Sequence, residues 1–370
     1  MTALSGSSVT DLPDPKLGGL DLVPTTDEVQ KAKDFTSDQE VRWCPGCGDY
    51  AVLASVRSFL PELGLKRENI VFVSGIGCSS RFPYYLDTYG MHSIHGRAPA
   101  IATGLAVTRP DLSVWVVTGD GDALSIGGNH LIHALRRNMN ITILLFNNRI
   151  YGLTKGQYSP TSEVGKVTKS TPMGSVDAPF NPVSLALGAE ATFVGRALDS
   201  DRKGLTEVLR QAAAHRGASL VEIFQDCPIF NDGSFDVLRK GDEVAQRLVP
   251  LVDGEPIRFG NDGEFGVVRA ASGGLEVRRV DEVGEDALVT HHADEEDPTQ
   301  AFALSRLSDQ DLTHTVTGIF RNVERPTYDD GARAQVTAAT EQAQQRGDDL
   351  QTMLRGKDTW AVMPTPDNEQ

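Results

Sequence analysis

The chain of 370 residues contains four cysteines, and two of them stand close together in residues 42–50, RWCPGCGDY. Cys44 and Cys47 have CxxC spacing, whereas Cys78 and Cys227 are single cysteines further along the chain. A CxxC pair can form a redox dithiol, and four thiolates can bind Zn²⁺ or a [4Fe–4S] cluster. Because the four thiols can also be unliganded, their spacing alone leaves four alternatives open.

Oxygen donors form a second set of potential ligands. Asp120 lies in GDGDA (119–123), and Asn148 lies in NNRIYG (147–152). Mg²⁺ prefers carboxylate, carbonyl and phosphate oxygens, and the main-chain carbonyl of Ile150 is a third candidate ligand. The neighbouring glycines allow the backbone to approach a diphosphate closely. These residues predict a magnesium–diphosphate site, against the alternative that GDG and NN are ordinary turns.

Both sets of residues lie near the ends of predicted strands. Apolar runs predict strands and periodic segments predict helices, and the two alternate to about residue 228. Continuous apolar strands separated by helices indicate an α/β fold with a doubly wound, mostly parallel sheet. Ligands bind at the carboxyl ends of the strands in such sheets, so GDG, NN and the cysteines are expected on one rim. The predicted strands are 69–77, 113–120, 141–148, 218–226 and the end of 183–195, and the predicted helices are 50–63, 100–110, 127–138, 201–217 and the start of 183–195.

Changes in composition along the chain predict four parts. Residues 286–300, EDALVTHHADEEDPT, are rich in acidic residues, and we expect them to be an exposed mobile link. The predicted parts are an extended N-terminal arm (1–37), the α/β domain (38–235), a small C-terminal β-element with the acidic link (236–300), and a C-terminal tail (301–370) with one short helix at 332–346.

The net charge of −16 is concentrated in the last third of the chain. Residues 251–370 hold 24 acidic and 11 basic residues, or −13, which leaves −3 for residues 1–250. Nucleic-acid binding requires clustered Lys and Arg, so this distribution argues against it. No apolar run reaches the roughly 20 residues that cross a bilayer, and the N-terminus lacks a secretion signal. We therefore expect a cytoplasmic protein with no nucleic-acid or membrane partner.

GDG, an interval of 25 residues (122–146) and NN resemble the diphosphate motif of thiamin diphosphate (ThDP) enzymes. Over about residues 40–235 the chain is similar to β subunits of two-subunit 2-oxoacid:ferredoxin oxidoreductases, most of all to the 2-oxoglutarate-acting branch. The segments that carry this similarity are WCPGCGDY, GIGCSSR, HSIHGRAPAIATGLA (92–106), GDGDALSIGGNHLIHALRRN, NNRIYGLTKGQYSPTS (147–162) and the late DCP.

The resemblance implies three resident cofactors: ThDP, Mg²⁺ and one [4Fe–4S] cluster. It also implies catalytic roles for His95, Arg81 and Lys155, the last two near the substrate or CoA, where a cation suits an oxoacid carboxylate. By residue type alone, a histidine such as His95 more often forms hydrogen bonds within a loop than takes part in catalysis. Arginines and lysines such as Arg81 and Lys155 are more often solvated surface cations. The implied ligands are Asp120, Asn148 and the Ile150 carbonyl for Mg²⁺, and Cys44, Cys47, Cys78 and Cys227 for the cluster. The implied ThDP contacts are Ile76, Gly77, Cys78, Ser79, His95, Gly119, Gly121, Asp122, Asn148, Gly152 and Leu153.

The implied reaction is the CoA-dependent oxidative decarboxylation of 2-oxoglutarate to succinyl-CoA and CO₂. Electrons pass one at a time from the ThDP enamine to the cluster and on to ferredoxin. The alternatives are the same chemistry on pyruvate or a branched 2-oxoacid, a non-redox ThDP lyase or transferase with structural zinc, and a non-catalytic subunit.

ThDP enzymes also need a glutamate beside the aminopyrimidine ring, which a second related module supplies. The sequence shows only one doubly wound unit. We therefore expect an α subunit that provides this glutamate, in a heterodimer or an α₂β₂ heterotetramer, and we expect the chain alone to be inactive.

Overall fold

The structure is a computed structural model, and it describes residues 18–307, 311–346, 349–358, 360 and 362. Residues 1–17 of the expected N-terminal arm lie outside the described residues. The rest of the arm packs onto the α/β domain, because Val23 and Phe35 are buried in the same core as Trp43. Phe35 ends a short 3₁₀ helix, Ala32–Phe35.

An eight-stranded sheet forms the centre of the fold. Its strands are β1 (Ile70–Ser74), β2 (Tyr89–His92), β3 (Ser113–Gly119), β4 (Ile141–Asn147), β5 (Phe193–Leu198), β6 (Ala218–Phe224), β7 (Leu248–Pro250) and β11 (Thr315–Asn322). A separate antiparallel sheet contains β8 (Arg258–Phe259), β9 (Phe265–Arg269) and β10 (Leu275–Arg279). The order in the large sheet is β2-β1-β3-β4-β6-β5-β11-β7, and β1 to β6 are parallel throughout.

Helices cover both faces of the large sheet. The helices of the described residues are α1 (Asp49–Phe59), α2 (Phe82–Tyr85), α3 (Ala98–Thr108), α4 (Asp120–Leu124), α5 (Gly128–Arg136), α6 (Pro182–Gly188), α7 (Arg202–Ala214), α8 (Val244–Arg247), α9 (Val280–Val283), α10 (Thr299–Ser305), α11 (Tyr328–Arg346) and α12 (Leu350–Arg355). The 3₁₀ helices after the first are Leu60–Leu63, Arg67–Asn69, Ser79–Arg81, Asp236–Leu238 and Glu285–Ala287. No helix in the described part of the chain is long and apolar enough to span a membrane.

Strand β4 shows why the sheet is buried on both sides. All of its residues are buried, as its continuous apolar sequence ITILLFN predicts. Ile143 and Leu145 belong to the core beneath α3 and α5, whereas Leu144 and Phe146 belong to the core beneath α1 and α7. The predicted doubly wound, mostly parallel α/β fold is confirmed.

The large sheet continues beyond residue 235, where the sequence placed the end of the α/β domain. Strand β11, from the expected tail, pairs antiparallel with β5, and β7 pairs parallel with β11. Val316 and Phe320 of β11 are buried in the core. Residues 236–322 therefore complete the edge of the central sheet as well as forming the small sheet β8–β10.

The segment 286–300 is packed, so our expectation of an exposed link is wrong. Val289, His291 and Ala293 are buried, whereas the acidic residues on either side of this stretch, Asp286 and residues 294–297, are exposed. Val289 N donates to Val267 O at 2.8 Å, and His291 N donates to Glu255 O at 3.0 Å. Its acidic residues therefore lie on either side of the packed stretch and face solvent.

Candidate cofactor site

The carboxylate of Asp120 lies at the carboxyl end of β3, where α4 begins. It is 3% exposed, and its Oδ2 accepts hydrogen bonds of 2.5 Å from Ser159 Oγ and from Thr161 Oγ1. Burial raises the pKa of this carboxyl to about 6, while the two hydroxyls act in the opposite direction. Both hydroxyls bind the same oxygen, and Oδ1 receives no side-chain hydrogen bond from the described residues. This is the arrangement expected of a carboxylate that binds a cation through one oxygen.

Asn148 lies at the end of the adjacent strand. β3 and β4 are neighbours, and Gly119 pairs with Phe146, so Asp120 and Asn148 emerge on the same rim. Asn148 Oδ1 accepts a hydrogen bond of 3.2 Å from Ile150 N, and the Ile150 side chain is buried. No hydrogen bond among the described residues joins Asp120 to Asn148.

The carboxylate of Asp122 organises the other side of the rim. Oδ1 accepts hydrogen bonds from Ile76 N (3.2 Å), Gly96 N (2.7 Å) and His95 Nδ1 (2.6 Å), and Oδ2 accepts one from Thr118 Oγ1 (2.8 Å). Asp122 is 2% exposed, so its carboxylate is fully used inside the protein. The structure thus brings the predicted residues Ile76, His95 and Asp122 together, with Asp122 orienting the other two.

Gly77 and Gly128 leave space beside the backbone, whereas Gly121 is covered by a side chain. No atom lies within 4 Å of a Cβ built on Gly77 or on Gly128, the first residue of α5. A Cβ on Gly121 would lie 2.2 Å from the Tyr151 ring. Together with the buried Asp120, this donor set and open backbone fit a magnesium-bound diphosphate.

The four cysteines converge beside this rim. Cys47 precedes α1, Cys78 follows β1 and Cys227 follows β6, whereas Cys44 is exposed. A Cβ on Gly152 would lie 3.6 Å from the sulfurs of both Cys78 and Cys227. The loop after β4 therefore contacts two of the thiols and also carries Asn148.

The thiols have raised pKa values. Burial, and then the nearby Asp49 carboxyl, raises the pKa of Cys47 and raises that of Cys78 to about 12. Burial also raises the pKa of Cys227. Cys47, Cys78 and Cys227 influence one another electrostatically, which agrees with their proximity. A bound metal would be required to hold them as thiolates at neutral pH.

The spacing of the sulfurs distinguishes between the metal alternatives. Among the described residues, only Asp253, His292 and Asp294 form a group of three or more His, Cys, Asp or Glu ligand atoms within 4.8 Å of one another. No three of the four sulfurs are therefore that close. Tetrahedral zinc requires sulfurs about 3.8 Å apart, given Zn–S bonds of about 2.3 Å. As placed, the four sulfurs do not form one tetrahedral zinc site, and four neighbouring thiols are the donor set that an iron–sulfur cluster uses.

The other predicted residues occupy different parts of the rim. Ser79 Oγ lies 3.7 Å from a Cβ built on Gly119, so Ser79 and Gly119 are adjacent. Arg81 Nη1 donates to the carbonyl oxygen of Arg42 at 3.2 Å, on the side of the cysteines. Leu153 and Lys155 are exposed at the loop after β4, and Lys155 has φ of 75°. Arg81 thus lies beside the thiols, and Lys155 lies on the exposed part of the loop after β4.

Several polar residues of the site were not predicted from the sequence. Ser159 and Thr161 contact Asp120, Tyr151 contacts Gly121, and Asn147 accepts a 2.9 Å hydrogen bond from Thr161. The hydroxyl residues belong to the YSPTS segment, which has no regular secondary structure and therefore no periodic signal.

Comparison with known proteins identifies the family. Residues 75–223 match the model of the thiamine pyrophosphate enzyme C-terminal TPP binding domain. The chain is 74% identical over 340 residues to the 2-oxoglutarate oxidoreductase subunit KorB of Mycobacterium tuberculosis, covering 92% of this chain and 91% of that one. It is 38% identical over 252 residues to subunit beta of 2-oxoacid:ferredoxin oxidoreductase 2 of Aeropyrum pernix, covering 64% and 82%.

A solved structure gives the same result. The 2-oxoglutarate:ferredoxin oxidoreductase of Magnetococcus marinus, with 2-oxoglutarate, coenzyme A and succinyl-CoA bound, superposes with a TM-score of 0.68 at 34% identity. The match covers 89% of this chain and 95% of that one. The chain belongs to the β-subunit family of the 2-oxoacid:ferredoxin oxidoreductases.

Proposed function

We propose that this chain is the β subunit of a CoA-dependent 2-oxoglutarate:ferredoxin oxidoreductase, which forms succinyl-CoA and CO₂ from 2-oxoglutarate. The main support for this proposal is that one rim of the sheet holds both a ThDP-type diphosphate site and four converging cysteines. Gly152, which borders the sulfurs of Cys78 and Cys227, lies in the same loop as Asn148. The choice of 2-oxoglutarate is supported by two relatives, the 2-oxoglutarate oxidoreductase subunit of M. tuberculosis and the 2-oxoglutarate:ferredoxin oxidoreductase of M. marinus.

Mg²⁺ in this site would be held by Asp120 and Asn148 through their side chains and by Ile150 through its carbonyl. Thiamin diphosphate, when bound, supplies the electron sink that allows a 2-oxoacid to lose CO₂. The buried Asp122 holds the His95 ring and the backbone at Ile76 and Gly96, which fixes the side of the rim opposite Asp120. His95 is about one-third exposed, so its free nitrogen can face the bound cofactor or substrate.

A [4Fe–4S] cluster would be held by Cys44, Cys47, Cys78 and Cys227 and would accept electrons one at a time. Cys44 is the exposed member of the set, so the edge of a bound cluster at this residue would lie near the surface. We place the exit of electrons to ferredoxin at this edge. Arg81, beside the cluster, and Lys155, on the exposed loop, are proposed to face the carboxylates of the substrate or the phosphates of CoA.

The site is open on one side and requires a partner. Ile76, Ile94, Ile126 and Leu153 surround the rim and are 44–74% exposed. Large apolar side chains grouped around a polar site are typical of a protein interface. We propose that an α subunit covers this surface and completes the site, in a heterodimer or an α₂β₂ heterotetramer.

The decisive experiment is anaerobic purification of the complex, followed by iron and sulfide analysis and by ferredoxin reduction with 2-oxoglutarate plus CoA. We expect four iron and four sulfide per β subunit, as a [4Fe–4S] cluster contains, and faster turnover with 2-oxoglutarate than with pyruvate. A colourless protein with one zinc would contradict the redox function, and faster turnover with pyruvate would contradict the substrate.

Cys44→Ala is the variant that tests the cluster separately from ThDP binding. Cys44 is exposed, so we expect the variant to fold and to keep Mg²⁺-dependent ThDP binding while it loses the intact cluster and ferredoxin reduction. Full cluster content in Cys44→Ala would remove this residue from the ligand set.

A further inference from the structure

A buried glutamine, Gln225, lies between the two proposed cofactor sites. It directly follows β6, and its backbone N donates to Asn147 O at 3.0 Å, which continues the pairing of β6 with β4. Its side chain is 1% exposed. Nothing in the reaction assigned above uses this residue.

All hydrogen-bonding groups of the Gln225 amide have partners. Oε1 accepts a bond of 2.9 Å from Asn148 Nδ2. Nε2 donates to Cys47 Sγ at 3.3 Å and also to the carbonyl oxygen of Asp226. An amide has two N–H donors and one carbonyl acceptor, so these three contacts satisfy it.

The orientation of this amide follows from backbone groups at both ends. Ile150 N–H can only donate, so the Asn148 atom that faces it is Oδ1, and Nδ2 faces Gln225. The Asp226 carbonyl can only accept, so the Gln225 atom that faces it, and that also faces Cys47, is Nε2. Turning either amide over would oppose two donors or two acceptors.

We propose that Gln225 is a positioning residue for both cofactors, an inference that rests on the proposed function. Its carbonyl accepts from Asn148 Nδ2 and so leaves Oδ1, which faces Ile150 N, as the side-chain oxygen available to the proposed Mg²⁺. Its N–H donates to the sulfur of Cys47, one of the proposed cluster ligands. Hydrogen bonds to cluster sulfurs stabilise the more negative, reduced cluster and therefore raise its reduction potential.

This placement makes the two ends of one side chain separately testable. Gln225→Met has a similar length and removes all three hydrogen bonds. Gln225→Glu keeps an acceptor for Asn148 and loses the amide N–H that faces the sulfur. A purely structural role would affect the stability of both variants without a matching change in potential.

The test uses the full-length protein in the complex with which it copurifies, under anaerobic conditions. Redox titration followed by EPR measures the cluster potential, and calorimetry measures the Mg²⁺ affinity in the presence of ThDP. For Gln225→Met we expect a lower potential and a 10- to 100-fold loss of Mg²⁺ affinity, as removal of groups that orient metal ligands typically causes. For Gln225→Glu we expect a lower potential with Mg²⁺ affinity close to that of the wild type.

The outcomes separate this inference from the function on which it rests. Wild-type protein that binds neither an iron–sulfur cluster nor Mg²⁺–ThDP would overturn the proposed function. If the wild type binds both, an unchanged potential or an unchanged Mg²⁺ affinity in Gln225→Met would overturn the inference. Should Gln225→Met fail to fold, Gln225→Glu decides, because an unchanged potential in that variant overturns the role toward Cys47.

Discussion

The hydroxyl of Tyr151 donates a hydrogen bond of 2.8 Å to the carbonyl oxygen of Gly121, and the tyrosine ring covers the α-carbon of that glycine. Gly121 lies in α4 after β3, and Tyr151 lies in the loop after β4. The contact joins the GDG and NN segments, so neither segment can move without the other. A glycine is required here because a side chain would occupy the space of the ring.

Gly121→Ala is therefore expected to displace Tyr151. A Cβ would lie 2.2 Å from the ring, and we expect a loss of stability of about 1–3 kcal/mol, typical of overpacking, with weaker ThDP binding. Gly104→Ala is the control, because Gly104 lies inside α3 and a Cβ there would have no neighbouring element within 4 Å. This substitution should stabilise the folded protein by about 0.5–1 kcal/mol. Thermal denaturation and ThDP calorimetry measure both effects. Equal behaviour of the two variants would contradict the prediction.

Thr161→Val is expected to weaken the binding of Mg²⁺ more than the binding of Ca²⁺. The Thr161 hydroxyl holds one oxygen of Asp120, and Mg²⁺ demands near-ideal octahedral geometry whereas Ca²⁺ accepts flexible ligands. We expect a 10- to 100-fold loss of Mg²⁺ affinity and a smaller loss for Ca²⁺, measured calorimetrically with ThDP. Thr161→Ser retains the hydroxyl and should behave as the wild type. An equal loss for both ions would show that Thr161 does not act through geometry.

Asp120→Asn is expected to stabilise the metal-free protein and to abolish Mg²⁺ binding. The pKa of Asp120 is about 6 in the folded protein and about 4 in an unfolded chain. Between these values the folded state holds a proton that the unfolded state lacks, so metal-free stability rises as the pH falls through 6. Above pH 6 the ionised carboxylate opposes folding, by up to about 3 kcal/mol.

The measurement is thermal denaturation of wild type and Asp120→Asn in the presence of a chelator, from pH 4 to pH 8. The variant should be the more stable at pH 8, and the difference should shrink toward pH 4. Wild-type Mg²⁺ affinity should fall over the same range, because protons compete with the metal. A difference in stability that does not change with pH would show that it does not come from the ionisation of Asp120.

Removal of residues 312–370 is expected to prevent folding, because β11 provides the partner of β5 in the large sheet. Removal of residues 349–370 takes away only α12 and the residues after it, and it should leave solubility and ThDP binding unchanged. Expression yield, circular dichroism and ThDP calorimetry compare the two truncations. A soluble, ThDP-binding protein that ends at residue 311 would show that β11 is dispensable.

The central strands could be predicted from the sequence because they are buried on both faces. β3 (SVWVVTG), β4 (ITILLFN) and β6 (ASLVEIF) appear as predominantly apolar runs, and the predicted bounds differ from the structure by a few residues at most. β2 was missed because all four of its residues are exposed, so it carries no apolar signal. β11 was missed because its sequence TVTGIFRN mixes polar and apolar residues and even buries Arg321.

The site was predictable where a motif follows a strand. Asp120 and Asn148 directly follow β3 and β4, so the topology of a parallel sheet places them on one rim. Ser159, Thr161 and Gln225 carry no such signal, because their roles depend on loop conformation and on contacts between distant segments. The cysteines were predictable in part. Their convergence could be inferred from the strand ends, but the separation of their sulfurs required coordinates.

The antiparallel pairing of β11 with β5 has a consequence for the newly made chain. During synthesis, residues 193–198 leave the ribosome well before residues 315–322, so the edge of β5 has no neighbour until the C-terminal part emerges. Unpaired strand edges in incomplete chains promote aggregation. A nascent chain released early would therefore expose this edge, and ribosome stalling or premature termination before residue 322 would turn the subunit into a substrate for chaperones and proteases.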